Sequence, residues 1–413
     1  MTKYCIIGNS AAAVGAVEAI RENDKKNKIT IISKEPYHVY SRPLISYLLA
    51  GKITEDGMYY RDFDFYKKNN VEFINKTALK INTKNKTVIL DDGKIKYDNL
   101  LISTGGTPFV PPTEGMEKDG VFTFTTWDDA KEVSERLSNT KKAVVIGGGM
   151  IGIKASEALK ACDVDVTIVE LADTILSTVF DETASNIAKE HLEKLGIRII
   201  TGNSVSKITG KNKVSGVVLN DGQKINCNLV IFAIGVRPNV DVVKDTGIKV
   251  NRGIVIDEHM ETSEKCVFAA GDVAEAYDSL VKENRLIPIW PLAYKQGKIA
   301  GSNMSGVKKK YDGGFVMNSI ELIDLPTISF GLTNIDDGFE VLSNLCGEEY
   351  KKIVLKDGCV VGAIFIGCID RAGILSGLIR DKIDVSSFKD EILSDNFGYI
   401  SFPKELRKER LLK

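Results

Sequence analysis

Closely paired cysteines are missing from this sequence. Its cysteines stand at 5, 162, 227, 266, 346, 359 and 368. No CxxC or CxxxxC pair occurs, which argues against a structural zinc site or an internal iron–sulfur centre. Sparse, unpaired thiols fit a reducing compartment. An excess of one charge is missing too. The chain has 55 basic and 56 acidic residues, a net charge of −1, so no global basic field exists to hold nucleic acid. The longest apolar runs, 229–236 and 358–369, fall short of the roughly 18 residues that a bilayer span needs. The start runs straight into the apolar YCIIG, with no charged region followed by an apolar stretch of roughly 7–15 residues, so no signal peptide is expected. The expectation is a cytoplasmic protein with neither nucleic-acid nor membrane partners. Hydrophobic residues at 43% and charged residues at 27% exclude disorder of the whole chain. Its 413 residues allow about three domains.

What the chain does have is a duplicated pattern. KYCIIGNSAAAVGAVEAIR (3–21) reads as an apolar strand, a small-residue turn and an Ala-rich helix, and KITIIS (28–33) is a second strand. KKAVVIGGGMIGIKASEALKA (141–161) followed by DVTIVE (165–170) repeats that order. Each is a βαβ unit and implies a parallel sheet. A hairpin leading to a buried strand is duplicated as well, around Asp92-Gly93 (86–106) and Asp221-Gly222 (214–235). Between the two units, TPFVPPTEG (107–115) holds three prolines and reads as the crossover. From about Phe315 the pattern becomes short alternating strands and two late helices, a third, α+β domain.

GGGMIG (147–152) follows a strand and opens a helix, the setting that makes a GxGxxG string specific. Gly147 permits the tight turn, Gly149 admits backbone to a pyrophosphate, and Gly152 lets the helix lie on the strand. The helix N-terminus offers N–H groups and a partial positive charge to phosphate. Glu170 ends the second strand, where a carboxylate can accept bonds from both ribose hydroxyls. A 2′-phosphate near Glu170 would meet a like charge. At about 4 Å and an effective dielectric near 20, each pair of unit charges repels by roughly 4 kcal/mol. No arginine follows within Leu171-Ala172-Asp173, so NADH is expected over NADPH.

The N-terminal copy, GNSAAA (8–13), is weaker, because Ser10 and Ala13 stand where the second and third glycines would. The Ser10 hydroxyl could still bind a phosphate oxygen. Glu35 is the expected ribose carboxylate of this copy, with Ser33 as the alternative.

EPYHVYSRPLISYLLAG (35–51), LLISTGG (100–106), GGGMIG (147–152), IFAIGVRPN (231–239) and VFAAGDVA (267–274) occur in that order. Together they resemble the FAD- and NAD-dependent pyridine nucleotide oxidoreductases of the glutathione reductase superfamily. SRPLIS is similar to the branch with NADH:rubredoxin oxidoreductases, putidaredoxin-type ferredoxin reductases and the flavin part of nitrite reductase large subunits. The resemblance covers residues 1–310 closely and the rest loosely. It implies two Rossmann-like (three-layer ββα) α/β domains, the NAD domain (113–239) inserted in the FAD domain (1–112 and 240–312). A C-terminal α+β domain (313–413) would serve partner docking or an interface. For FAD it implies Gly8, Ser10 and Ala11 at the pyrophosphate, Glu35 at the ribose, and Arg42 with Pro43 beside the phosphates. Ala78 would meet the adenine, and Thr104 and Gly105 the adenosine side. Gly271 and Asp272 would meet the ribityl or pyrophosphate region. Leu292 lies on a helix whose N-terminus, started by Pro291, would face the flavin. For NAD it implies Gly147, Gly149, Met150, Ile151, Gly152, Glu170 and Gly235.

Two departures sharpen the expectation. Related disulfide reductases carry two cysteines near the flavin, and coenzyme A-disulfide reductases and NADH peroxidases carry one. Here Ser41–Ala50 holds none, so electrons must leave the flavin without a thiol relay. Many relatives also place a lysine after the Arg-Pro motif and a glutamate on the NAD-domain helix. This chain has Tyr47 and Lys154 at those places, which puts Lys154 forward as the cation of the flavin N5 environment. The expected activity is transfer of electrons between NADH/NAD+ and an iron–sulfur or rubredoxin-type carrier. The alternatives are an NADH oxidase or peroxide-reducing flavoprotein, and a flavoprotein that senses NADH without turning it over. A homodimer or a place in a larger redox complex is left open. The basic tail, residues 404–413, is a candidate contact for an acidic carrier.

Overall fold

A computed structural model describes residues 2–335 and 337–411. The chain forms two compact units. One comprises Met1–Phe109, Thr125–Trp127 and Val236–Phe315; the other comprises Val110–Phe124, Asp128–Gly235 and Val316–Lys413.

The first unit is built on five parallel strands in the spatial order Val267–Ala269, Asn99–Ile102, Tyr4–Ile7, Ile29–Ser33 and Val71–Asn75. Tyr4–Ile7 is buried at every position, as a strand covered on both faces must be. It lies between Ile29–Ser33, reached through the Ala11–Asn23 helix, and Asn99–Ile102. The strand order reverses there, and the turn after Ile7 opens at the carboxyl end of the sheet, where ligands of such folds bind. The Ala11–Asn23 and Trp290–Met304 helices pack backbone to backbone. A Cβ added at Gly297 would lie 2.0 Å from the Ala12 carbonyl oxygen, and one at Gly15 would lie 2.3 Å from that of Tyr294. The expected hairpin around Asp92-Gly93 joins Thr87–Leu90 to Lys94–Lys96.

The second unit repeats the plan. Its parallel sheet runs Arg198–Ile200, Asp165–Val169, Lys142–Ile146, Leu229–Phe232 and Val121–Thr123, and the hairpin around Asp221-Gly222 is present. The same unit contains a five-stranded antiparallel sheet, in the order Met317–Leu322, Leu325–Gly331, Cys359–Ile366, Glu349–Lys356 and Glu340–Cys346. The helix Gly373–Asp381 follows it.

Polar bonds fasten this last sheet to the nucleotide-type part of its own unit. Asp181 caps the Glu182–Lys194 helix by accepting the Ala184 N–H at 3.0 Å. It also accepts the Tyr350 hydroxyl and the Lys352 ammonium, each at 2.8 Å. His191 Nε2 is 2.7 Å from the Ile323 carbonyl at the tip of the first hairpin. The tail forms a helix, Lys404–Leu411; the last two residues of the basic-tail expectation, 412 and 413, lie outside the described residues. Among the described residues no helix is long and apolar enough to cross a membrane.

Candidate functional site

Each parallel sheet carries a turn shaped for phosphate, and the two turns share one construction. Gly8 has φ +109° and Gly147 φ +112°, a region that L side chains avoid. A Cβ on Gly8 would lie 2.1 Å from the Ser103 carbonyl oxygen, and one on Gly147 would lie 2.5 Å from that of Ala233. Each glycine also donates its N–H to the neighbouring strand, Gly8 to Ile32 and Gly147 to Val169, both at 2.8 Å. Strand and turn thus bring a helix N-terminus to the end of each sheet. Ala11 opens the first helix behind Ser10, and Met150 and Ile151 open the second behind Gly149. Ser10 spends no side-chain bond on its helix and Gly149 has no side chain to spend, so no cap side chain occupies the first-turn N–H groups.

In the second turn, Gly152 is required by contact: a Cβ there would lie 1.9 Å from the Gly147 carbonyl oxygen. Gly149 is open, with no atom within 4 Å of an added Cβ. Glu170, just past the Asp165–Val169 strand, is folded back over the turn. Its carboxylate accepts the N–H of Gly148 and, at 2.8 Å, that of Ala172. This orients the carboxylate beside the phosphate turn. Gly235 has φ +105° and open space around its Cβ position.

In the first unit the structure joins two residues that the sequence set apart. Arg42, which opens the 3-10 turn Arg42–Leu44 with Pro43, forms an ion pair with Glu35. It also donates to the Thr125 carbonyl at 3.2 Å. Glu35's other oxygen accepts the Tyr40 hydroxyl at 2.5 Å, and the Tyr40 oxygen accepts the Trp127 N–H at 3.1 Å. Glu35 therefore stands in this structure as the partner of Arg42 and Tyr40. Ser33, the alternative, donates its hydroxyl to the Glu35 carbonyl at 3.1 Å. Burial works against the Arg42 charge, but Tyr40 and Glu35 outweigh it and hold the guanidinium above its ordinary range. Asp272 faces Arg42. Burial raises its carboxyl, and the arginine opposes that shift. Gly271, at φ +80°, donates its N–H to the buried Gln296 Oε1 at 2.8 Å, which sets the backbone that presents Asp272.

The remaining expected contacts take these places. Thr104 donates its hydroxyl to the Asn239 carbonyl at 2.7 Å, and Gly105 has φ +65° with open space beyond it. Ala78 begins the Ala78–Asn82 strand. Pro291 occupies the first turn of the Trp290–Met304 helix, as expected, and Leu292 follows it. Lys154, in the Met150–Ala161 helix, pairs with Glu157 and donates to the Glu321 carbonyl at 3.0 Å. Tyr40, Gln296 and Ser46 are site residues that the motifs did not reveal. Tyr40 joins the nearby Glu35 to the remote Trp127, Gln296 meets a residue 25 positions away, and Ser46 has no partner in the protein, so the motifs alone do not announce these roles.

Two observations test whether these residues suit a dinucleotide. The open space over Gly149 lies at a helix N-terminus, where a pyrophosphate would sit. The Ser46 hydroxyl, one turn after Arg42, is buried yet has no hydrogen-bond partner in the protein. A buried hydroxyl left so is costly, and a bound group with polar atoms would relieve it. The residues fit FAD in the first unit and NAD(H) in the second.

Comparison with known proteins agrees with this geometry. A family model described as pyridine nucleotide-disulphide oxidoreductase matches residues 2–297, and one described as the rubredoxin NAD+ reductase C-terminal domain matches residues 317–383. The chain is similar to nitrite reductase [NAD(P)H] of Bacillus subtilis, 32% identical over 92% of this chain. It spans 47% of that protein's length. It is 32% identical to an NADH oxidase of Methanocaldococcus jannaschii, covering 95% of this chain and 94% of the relative. It is 31% identical to the NADH-rubredoxin oxidoreductase of Clostridium acetobutylicum, covering 95% of this chain and 97% of the relative. The solved structure of the Clostridium enzyme superposes with a TM-score of 0.79 over 95% of this chain and 99% of that one.

Proposed function

The chain belongs to the pyridine nucleotide-disulphide oxidoreductase family, and from that premise we propose that it is an FAD-dependent NADH oxidoreductase. It exchanges electrons between NAD(H) and a small iron–sulfur or rubredoxin-type carrier without a cysteine relay. The observation that carries this reading is the pair of matching glycine turns on one chain, together with an Arg42–Leu49 segment that contains no thiol. Cys5 does not replace that thiol. It is buried in the first strand, and burial pushes its pKa up to about 12, so it stays protonated and a poor nucleophile.

When bound, FAD supplies acceptance of a hydride from NADH and release of electrons singly. The chain's residues bind, orient and bias. Arg42 offers a planar fork to the FAD phosphates, with Glu35 and Tyr40 holding it in place. Asp272 accepts hydroxyl groups of the ribityl chain. Glu170 accepts the ribose hydroxyls of NADH and repels a 2′-phosphate. Lys154 and the N-terminus of the Trp290–Met304 helix supply positive charge toward the reduced cofactor. The similarity of residues 317–383 to a rubredoxin reductase C-terminal domain supports carrier docking on that part. The match to about half of a longer nitrite reductase supports a flavin-bearing role within a larger redox assembly.

Anaerobic stopped-flow of the purified yellow protein should show flavin bleaching by NADH, then recovery of its colour on adding rubredoxin or a ferredoxin. Turnover with oxygen as fast as with any such carrier would instead favour the oxidase reading that the Methanocaldococcus relative supports. Flavin that NADH reduces only over minutes would favour a sensing role.

A further inference from the structure

We propose that Tyr66 and Asn9 are positioning residues of the first phosphate turn: the Tyr66 hydroxyl orients the Asn9 amide, and that amide ties the turn to the segment that leads into Arg42. This rests on the reading of Gly8–Ala13 as the FAD phosphate turn and deepens it.

Asn9 stands between Gly8 and Ser10, inside the turn. Its Nδ2 donates to the Tyr37 carbonyl at 3.2 Å, and its Oδ1 accepts the Tyr66 hydroxyl at 2.8 Å. The Tyr66 oxygen in turn accepts the Val39 N–H at 3.1 Å. The direction of every bond is determined. A backbone carbonyl can only accept, so the amide nitrogen must face Tyr37 and the amide oxygen must face Tyr66. A backbone N–H can only donate, so the Tyr66 proton must point at Asn9. The result is a closed circuit from Tyr37 and Val39 to the phosphate turn and back. Tyr37 and Val39 lie five and three residues before Arg42, so the circuit fixes the turn relative to the arginine that would share its phosphates.

The tyrosine ring is held independently of its hydroxyl. It stacks on Phe73 with centroids 5.5 Å apart and meets the edge of His38 at 4.6 Å. Burial pushes the phenol pKa up to about 12, so the donor persists through the working pH range. Tyr66 lies 57 residues from Asn9 and belongs to no nucleotide motif.

The test is a double-mutant cycle read by FAD release from the holoenzyme. Release is followed as the rise in free-flavin fluorescence after dilution. Tyr66→Phe keeps the ring and should speed release about fivefold, the scale of one hydrogen bond. Asn9→Ala should speed it by at least as much. Adding Tyr66→Phe to Asn9→Ala should then change nothing, because the hydroxyl acts through the amide. A purely structural role, through the lost bond to Val39, would persist in the Asn9→Ala background and would overturn the proposal. Unchanged release in either single variant would overturn it too, so Asn9→Ala decides alone should Tyr66→Phe prove insoluble. A wild-type protein that neither retains nor takes up FAD would instead overturn the underlying reading of the turn.

Discussion

The two glycine turns of this chain share one construction and differ at one position. Both begin with a positive-φ glycine pressed against a carbonyl of the adjacent loop, Ser103 in one and Ala233 in the other. They differ at the third small position. In the second turn the helix lies so close to the turn's own Gly147 carbonyl that only Gly152 fits, whereas the first turn carries Ala13 there. The first unit uses its glycines elsewhere, at Gly15, Gly297 and Gly301, where two helices pack backbone to backbone. Close approach is thus needed in both units, but between different partners: helix and turn in one, helix and helix in the other. A motif search finds only the first kind.

The largest effect should come from forcing the two turns to be alike. Gly152→Ala would drive a Cβ onto the Gly147 carbonyl, and overpacking of this sort costs typically 1–3 kcal/mol. We expect a lower unfolding temperature together with weakened NADH binding, measured by calorimetry and titration. The reciprocal Ala13→Gly should cost only about 1 kcal/mol of helix propensity and leave FAD bound. Equal tolerance of both changes would show that the turns do not differ sterically.

The next contrast is between the carboxylates. Glu170 is fastened by two backbone N–H groups, while Glu35 bonds to the side chains of Arg42 and Tyr40. Glu170→Ala removes the repulsive element against a 2′-phosphate. The preference for NADH over NADPH, as a ratio of kcat/KM values, should narrow about tenfold or more, a change of roughly 1.4 kcal/mol. A ratio that does not move would place the discrimination elsewhere.

Lys154 gives an effect of similar size, divided between potential and stability. A charged hydrogen bond is worth about 1.5–3 kcal/mol. If the ammonium favours reduced flavin by about 2 kcal/mol, Lys154→Met should lower the two-electron potential by roughly 40 mV. The same change leaves the buried Glu157 without its cation, so stability should fall as well. A lowered unfolding temperature with an unmoved potential would make Lys154 a clamp for the Glu321 strand and nothing more.

The smallest effect concerns the tail. Deleting residues 404–413 removes five basic and two acidic groups. Reduction of an acidic carrier should slow a few-fold, and the difference should fade with added salt. Flavin reduction by NADH should not change. A matching slowdown of both half-reactions would point to folding instead.

The two βαβ units, both hairpins and the change to short strands with late helices near the C-terminus were legible in the sequence, because each rests on local periodicity and on glycines at fixed offsets. The glycines of both turns and Glu170 were legible for the same reason. The pairing of Glu35 with Arg42 was not. The motifs point each of them at a ligand, and only the fold puts them in contact. Lys154 was picked out by its departure from a pattern, but its bond to the Glu321 carbonyl spans 167 residues.

What the sequence determined by itself is therefore the architecture and the two glycine turns that open a helix at the end of each parallel sheet. Strand periodicity, glycine turns and helix starts are short-range constraints, and a chain displays those in order. What only the tertiary structure decided is how the side chains around those places are oriented. Arg42 is held by Glu35 and Thr125, Asn9 by Tyr37 and Tyr66, and Gly271 by Gln296. Most of these partners are remote in the chain. They meet because packing brings them together, and a hydrogen bond depends on distance and direction in space, to which order along the sequence is no guide.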